Sequence, residues 1–170
     1  MKTKIVNSLL IGMFVLSLGC SSEEESPKDI TWVQIAQESL YGNGEEGFSQ
    51  EGIVIKTDSE WEAFKQKINT TNNVVDTYFT EKEIDFSTYQ VIAVIDEVKG
   101  SGGWSIDITG ITEWQDKIHV FVTNLKKGGL TSVMTQPFQV VKIPISEKEI
   151  EFKYDLAGKI VNTKRMILTK

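Results

Sequence analysis

Reactive side chains are scarce in this 170-residue chain, which has one cysteine and one histidine. A lone Cys20 excludes an internal disulfide. Zinc sites built from Cys and His need several such ligands, so Cys20 and His119 cannot make one. Nucleophilic catalysis needs a nucleophile with a base in reach, and no GxSxG elbow accompanies the single imidazole. His119 lies in the alternating stretch "IHVFV", on one face with Phe121, and reads as a structural or surface residue. Asp107, Glu113 and Asp116 in "DITGITEWQD" do not have EF-hand spacing, and alternation places them on exposed faces and turns. Positive charge is also short, with 18 Lys and Arg against 24 Asp and Glu and a net charge of −6. An acidic chain without a basic stripe argues against nucleic acid as a partner and against electrostatic attraction to anionic membranes. No catalytic residue, metal or cofactor is assigned.

Long apolar runs are missing except at the N-terminus. Ile5–Leu18 follows Lys2 and Lys4 and is broken only by Asn7, Ser8, Gly12 and Ser17. It has the layout of a secretory signal and is short for a membrane span. Its end, "LSLGC", resembles the lipobox of bacterial lipoproteins. That resemblance implies cleavage before Cys20 and attachment of diacylglycerol and further acyl chains such as palmitate, enough for stable anchoring. Losing residues 1–19 removes Lys2, Lys4 and no acid, which takes the charge from −6 to −8. The following "SSEEESPKD" has no apolar residue and reads as a flexible tether. Ser21 is not the Asp that resembles an inner-membrane retention signal, and the acidic run resembles surface-export tethers of Bacteroidetes-type lipoproteins. The expected organisation is a signal peptide over 1–19, a lipidated tether over 20–29 and one β-rich domain over 30–170, held by the Cys20 lipid at the outer membrane or cell surface.

Within the domain, period-two alternation marks strands at 30–36, 52–57, 104–111, 118–124 and 138–145, with further pairing strands in "IEFKYDL" and "KIVNTKRMILTK". Val91–Ile95 is continuously apolar, as a central strand covered on both faces would be. Thr57 and Glu60 form a capping-box pattern, and Trp61, Phe64 and Ile68 share one helical face. This helix is expected to end at "NTTNN", and a weaker helical signal lies near Glu81. Pro144 marks a strand edge or end. The fold class is mainly β (α+β): an antiparallel sandwich or open barrel with one packed amphipathic helix.

"KGSGGWSIDI", Lys99–Ile108, has three glycines in four residues. A phosphate cradle would need a helix after the glycines, yet the next residues alternate as a strand does, and GK[ST] is absent. The stretch therefore reads as a glycine-rich hairpin joining two strands, with Trp104 on one face with Ile106 and Ile108. An exposed Trp104 would make it a recognition tip as well.

With "TQPFQVVKIPI", this stretch resembles the PrcB C-terminal domain family, named for a lipoprotein associated with a surface protease complex. The matching residues are Lys99, Ser101, Gly102, Gly103 and Trp104, then Gln136, Pro137 and Phe138, within a likeness running roughly from Phe48 to Phe152. Trp104 replaces the usual tyrosine and Ser101 a common threonine. The resemblance implies a non-catalytic envelope module that binds or stabilises a protein partner, a protease being one candidate. Its contacts would be the 101–104 turn and a second loop at 126–136 carrying Gln136, Pro137 and Phe138. "SGGW" and "QPF" also echo chagasin-type cysteine protease inhibitors, without their Asn-Pro-Thr lead-in or arginine. Two competing readings are a carbohydrate-binding or hydrolytic protein using Asp107, Glu113 or Asp116, and a purely structural envelope protein.

Overall fold

The computed structural model describes residues 26–156 and 159–163. The signal segment and Cys20 lie outside the described residues. The elements are β1 (Lys28–Asp29), β2 (Val33–Tyr41), β3 (Glu51–Ile55), α1 (Asp58–Ile68), α2 (Val74–Tyr78), β4 (Tyr89–Ile95), β5 (Asp107–Glu113), β6 (Lys117–Thr123), β7 (Thr135–Pro144), β8 (Glu149–Leu156) and β9 (Lys159–Thr163). They form a four-stranded sheet, β2-β7-β4-β3, and a five-stranded sheet, β1-β5-β6-β8-β9. Neither sheet closes on itself, so the architecture is a sandwich rather than a barrel.

There are three layers. The apolar run of β4 is buried throughout and serves both faces of its sheet. Val91, Ala93 and Ile95 face the helices, while Ile92 and Val94 face the second sheet. Phe138 and Val140 of β7 join the helix side, and Val141 and Ile143 join the inter-sheet side. Helix α1 covers the outer face of the four-stranded sheet with Trp61, Phe64 and Ile68. Its N-terminus is capped as its sequence implies: the Thr57 hydroxyl accepts from the Glu60 N–H at 3.2 Å, and the Glu60 carboxylate accepts from the Lys56 N–H at 2.8 Å. Gly52 of β3 is required where the sheets meet, because a Cβ there would lie 2.5 Å from the Phe152 ring of β8.

Several expectations change. The chain after β4 does not turn back as a hairpin; β4 and β5 belong to different sheets, so residues 96–106 carry the chain across the sandwich. The β6–β8 pair is parallel, because β7 intervenes in the other sheet and resets the chain direction. Lys28 and Asp29, assigned to the tether, pair with Glu113 and Thr112, and the Ile30 N–H donates to Ile111 O at 2.8 Å. The strand expected at 30–36 is thus a sheet-to-sheet crossing followed by β2. Helix α2 is an addition, held by burial of Val74 and Val75 against the core.

Candidate functional site

The site starts where β4 ends. Asp96 follows five apolar residues and its carboxylate is wholly buried. A buried charge is tolerated only when paired and hydrogen-bonded, and four donors converge on it. Oδ1 accepts from Gln50 Nε2 and the Glu97 N–H, both at 2.8 Å. Oδ2 accepts from Asn124 Nδ2 at 2.8 Å and lies 3.1 Å from Lys99 Nζ. Asn124 also donates to Ser105 O at 2.5 Å, so one side chain ties the start of the 125–134 loop to both ends of the crossing. The Lys99 ammonium additionally meets Glu97 at 3.1 Å and lies 5.0 Å from the Trp104 ring centroid.

From this joint the crossing and the 125–134 loop run out together as a ribbon. Lys99 and Thr135 exchange backbone hydrogen bonds at 2.7 and 3.0 Å. The Gly102 N–H donates to Thr131 O at 3.1 Å, the Gly128 N–H to Gly103 O at 3.2 Å, and the Ser105 N–H to Lys126 O at 3.2 Å. Trp104 and Lys127 face each other across an antiparallel bridge. Glycine is needed twice. Gly103, at φ 79°, would bring a Cβ to 3.0 Å from the Gly129 nitrogen, and Gly128, at φ 89°, would bring one to 2.7 Å from Trp104 Nε1. Trp104 is half-buried: its indole N–H donates to Ser101 Oγ at 3.0 Å, and its ring packs on Gly128. It does not share the inward face of Ile106 and Ile108 as alternation predicts, because β5 begins only at Asp107.

The residues singled out from the sequence therefore divide. Lys99, Ser101, Gly102, Gly103 and Trp104 come together in the ribbon. Gln136, Pro137 and Phe138 do not form a loop; they lie buried in β7, a strand with neighbours on both sides. Gln136 Nε2 donates to Phe48 O at 3.0 Å and Asp96 O at 2.9 Å, Pro137 O accepts from the Asp96 N–H at 2.9 Å, and Phe138 lies in the helix-side core. Residues before them occupy the surface instead: Leu125, Leu130 and Met134 are exposed apolar side chains, with Lys126 and Lys127 exposed among them. A recess of about 220 Å³ lies beside the ribbon between Gln37, Glu38, Ser39, Trp104, Ser105 and Lys126.

The acidic candidates do not assemble. Asp107 is buried, contrary to its expected exposed position. Its Oδ1 accepts from Gln37 Nε2 at 2.7 Å, and its Oδ2 accepts from Ser105 Oγ at 2.5 Å and the Leu125 N–H at 2.9 Å. Glu113 pairs with Lys148 at 3.0 Å, and Asp116 stands at the surface near Lys117. His119 faces outward on the five-stranded sheet between Trp114 and Phe121, 3.2 Å from Glu151. Partial burial, helped by Lys153, holds its pKa below the usual histidine value. Among the described residues no group of three or more His, Cys, Asp or Glu side chains could hold a metal ion.

Sequence reasoning names Gln136 as a loop residue but misses the polar joint it forms with Asp96 and Asn124. The one signal for it was an aspartate closing an all-apolar strand three residues before a lysine.

No curated protein and no solved structure matches the chain. A family model described as PrcB C-terminal matches residues 90–144, from the second residue of β4 to the last of β7, and so spans the Asp96 joint, the glycine ribbon and the exposed loop. Over residues 90–144 the chain is similar to the PrcB C-terminal family.

Proposed function

We propose that this protein is a non-catalytic, lipid-anchored envelope module that docks a protein partner through the ribbon of residues 99–104 and 125–134, in the manner of a subunit that stabilises a protease complex. The observation carrying this reading is a loop tip built rigidly from backbone bonds yet presenting exposed Leu125, Leu130 and Met134. A backbone already held by hydrogen bonds has less conformational freedom to lose when its apolar side chains bind, which favours affinity. The lipid on Cys20 would supply the membrane attachment.

Capture from envelope extracts tests the docking role, using the full chain and its Gly102→Val, Trp104→Ala variant. Valine at 102 presses its Cβ to 3.2 Å from Val133, and alanine at 104 removes the ring under Gly128. The expected result is loss of a specific partner with unchanged circular dichroism. A folded variant that retains every partner would reduce the ribbon to a structural connection. Metabolic lipid labelling should disappear in Cys20→Ala; labelling that persists would remove the anchor.

A further inference from the structure

We infer that the surface received by this tip is an acidic protein segment carrying an apolar anchor, an inference that rests on the docking role proposed above. Charge along the chain is uneven. No Asp or Glu occurs between Asp116 and Glu147, although the chain holds 24 acids. The other lysines in that interval are occupied: Lys117 lies 3.7 Å from Glu151, and Lys142 bonds Glu81 at 2.7 Å. Lys126 and Lys127 stand exposed on the tip and make no ion pair among the described residues. Asp96 is engaged by four donors, Glu97 by Lys99, and Asp107 by Gln37, Ser105 and the Leu125 N–H; Glu38 lines the same recess as Lys126, so the two exposed lysines outnumber the acid beside them.

The tip is thus a small cationic and apolar projection on an acidic body. The net negative charge of such a body disfavours an acidic partner on most of its surface, which biases the docking orientation toward the tip. Leu130, fully exposed, supplies the contact that excludes water, and Lys126 at the rim of the recess beside Trp104 supplies a counter-charge for a partner carboxylate. An anionic bilayer fits less well, because membrane-recruiting clusters hold about 4–8 basic residues where this tip holds two free ones.

The test uses the full chain in detergent and labelled dodecapeptides that alternate Glu with Leu and Phe, or Lys with Leu and Phe, read by fluorescence anisotropy. A parallel arm measures sedimentation of the protein with phosphatidylglycerol–phosphatidylethanolamine vesicles. The glutamate peptide should bind preferentially and weaken about tenfold as salt screens the contact. Lys126→Glu with Lys127→Glu should reverse the preference toward the lysine peptide. Leu130→Ala should weaken binding about tenfold and leave the salt dependence unchanged. Equal binding of both peptides, no binding of the glutamate peptide, or lysine-dependent vesicle binding in its place would each overturn the inference. Partner capture lost in the Trp104 variant but retained in the double glutamate variant would overturn the charge assignment alone. Capture unaffected by either would overturn the docking role as well.

Discussion

Replacing Asp96 tests how firmly the tip is joined to the core. Asp96→Ala leaves Lys99, whose side chain is 10% exposed, without its buried anion, and leaves the Gln50 amide without its acceptor. Removing one partner of a buried ion pair costs about 3–5 kcal/mol, because the surviving charge stays desolvated. Lys99 has a partial alternative in the exposed Glu97, which places the expected loss toward the lower end, ~3 kcal/mol. Asp96→Asn keeps the shape but turns an amide toward Asn124 Nδ2 or Gln50 Nε2, and about 1.5–3 kcal/mol is expected. Either loss is a large part of a typical stability of about 5–15 kcal/mol. Lys99→Met removes the charge that Asp96 balances, so the Asp96→Asn penalty should shrink by roughly 1 kcal/mol in that background. Urea unfolding of the wild type, Asp96→Asn, Lys99→Met and their double variant, followed by tryptophan fluorescence and circular dichroism, gives the cycle, and Asp96→Ala is measured beside them. A loss below about 1 kcal/mol for Asp96→Ala, or additivity within about 0.3 kcal/mol, would refute the view that this carboxylate locks the ribbon to the sandwich.

Other outcomes rest on the same geometry. Gly103→Ala forces a left-handed residue against the Gly128–Gly129 backbone; it should cost at least about 1–2 kcal/mol and accelerate proteolysis within 125–134. Phe138→Ala should cost about 3–5 kcal/mol in urea unfolding through the cavity it opens, whereas Leu130→Ala should stay within about 0.5 kcal/mol, which separates core from contact surface. His119 has a folded-state pKa below its unfolded value, so the unfolded chain takes up a proton first and stability falls as pH drops from 7 through 6.5. His119→Gln should flatten that part of the urea-midpoint profile against pH; an unchanged slope would show that other groups produce it.

Locally encoded features were legible in the sequence. Helix α1 announced itself through Thr57, Glu60 and the spacing of Trp61, Phe64 and Ile68, all of which act within a few residues. The β4 run was readable because a strand covered on both faces has no polar side to alternate with. Features set by distant partners were not readable. The glycines at 100–103 look like a hairpin whether the next strand returns beside β4 or crosses to the other sheet; pairing with β6 decides that. Asp107 looked solvent-facing by alternation, but Gln37 and Leu125, far along the chain, bury and satisfy it. The "VVDTY" helix α2 runs against the preference of β-branched residues, and core burial of its two valines overrides it. For the site, residue type marks a glycine-rich turn at 99–104 and an unpatterned loop from 126, while "QPF" carries that loop too far, into residues that pairing with β2 and β4 places in the core.

The most direct test of docking through the tip places a photo-crosslinking residue at Leu130, or at Phe121 on the outward face of the five-stranded sheet, in the full-length protein made in its native host cells. Docking through the tip predicts a discrete crosslinked protein from position 130, abolished by Trp104→Ala, and none from position 121. Crosslinking from 121 with none from 130 would contradict it.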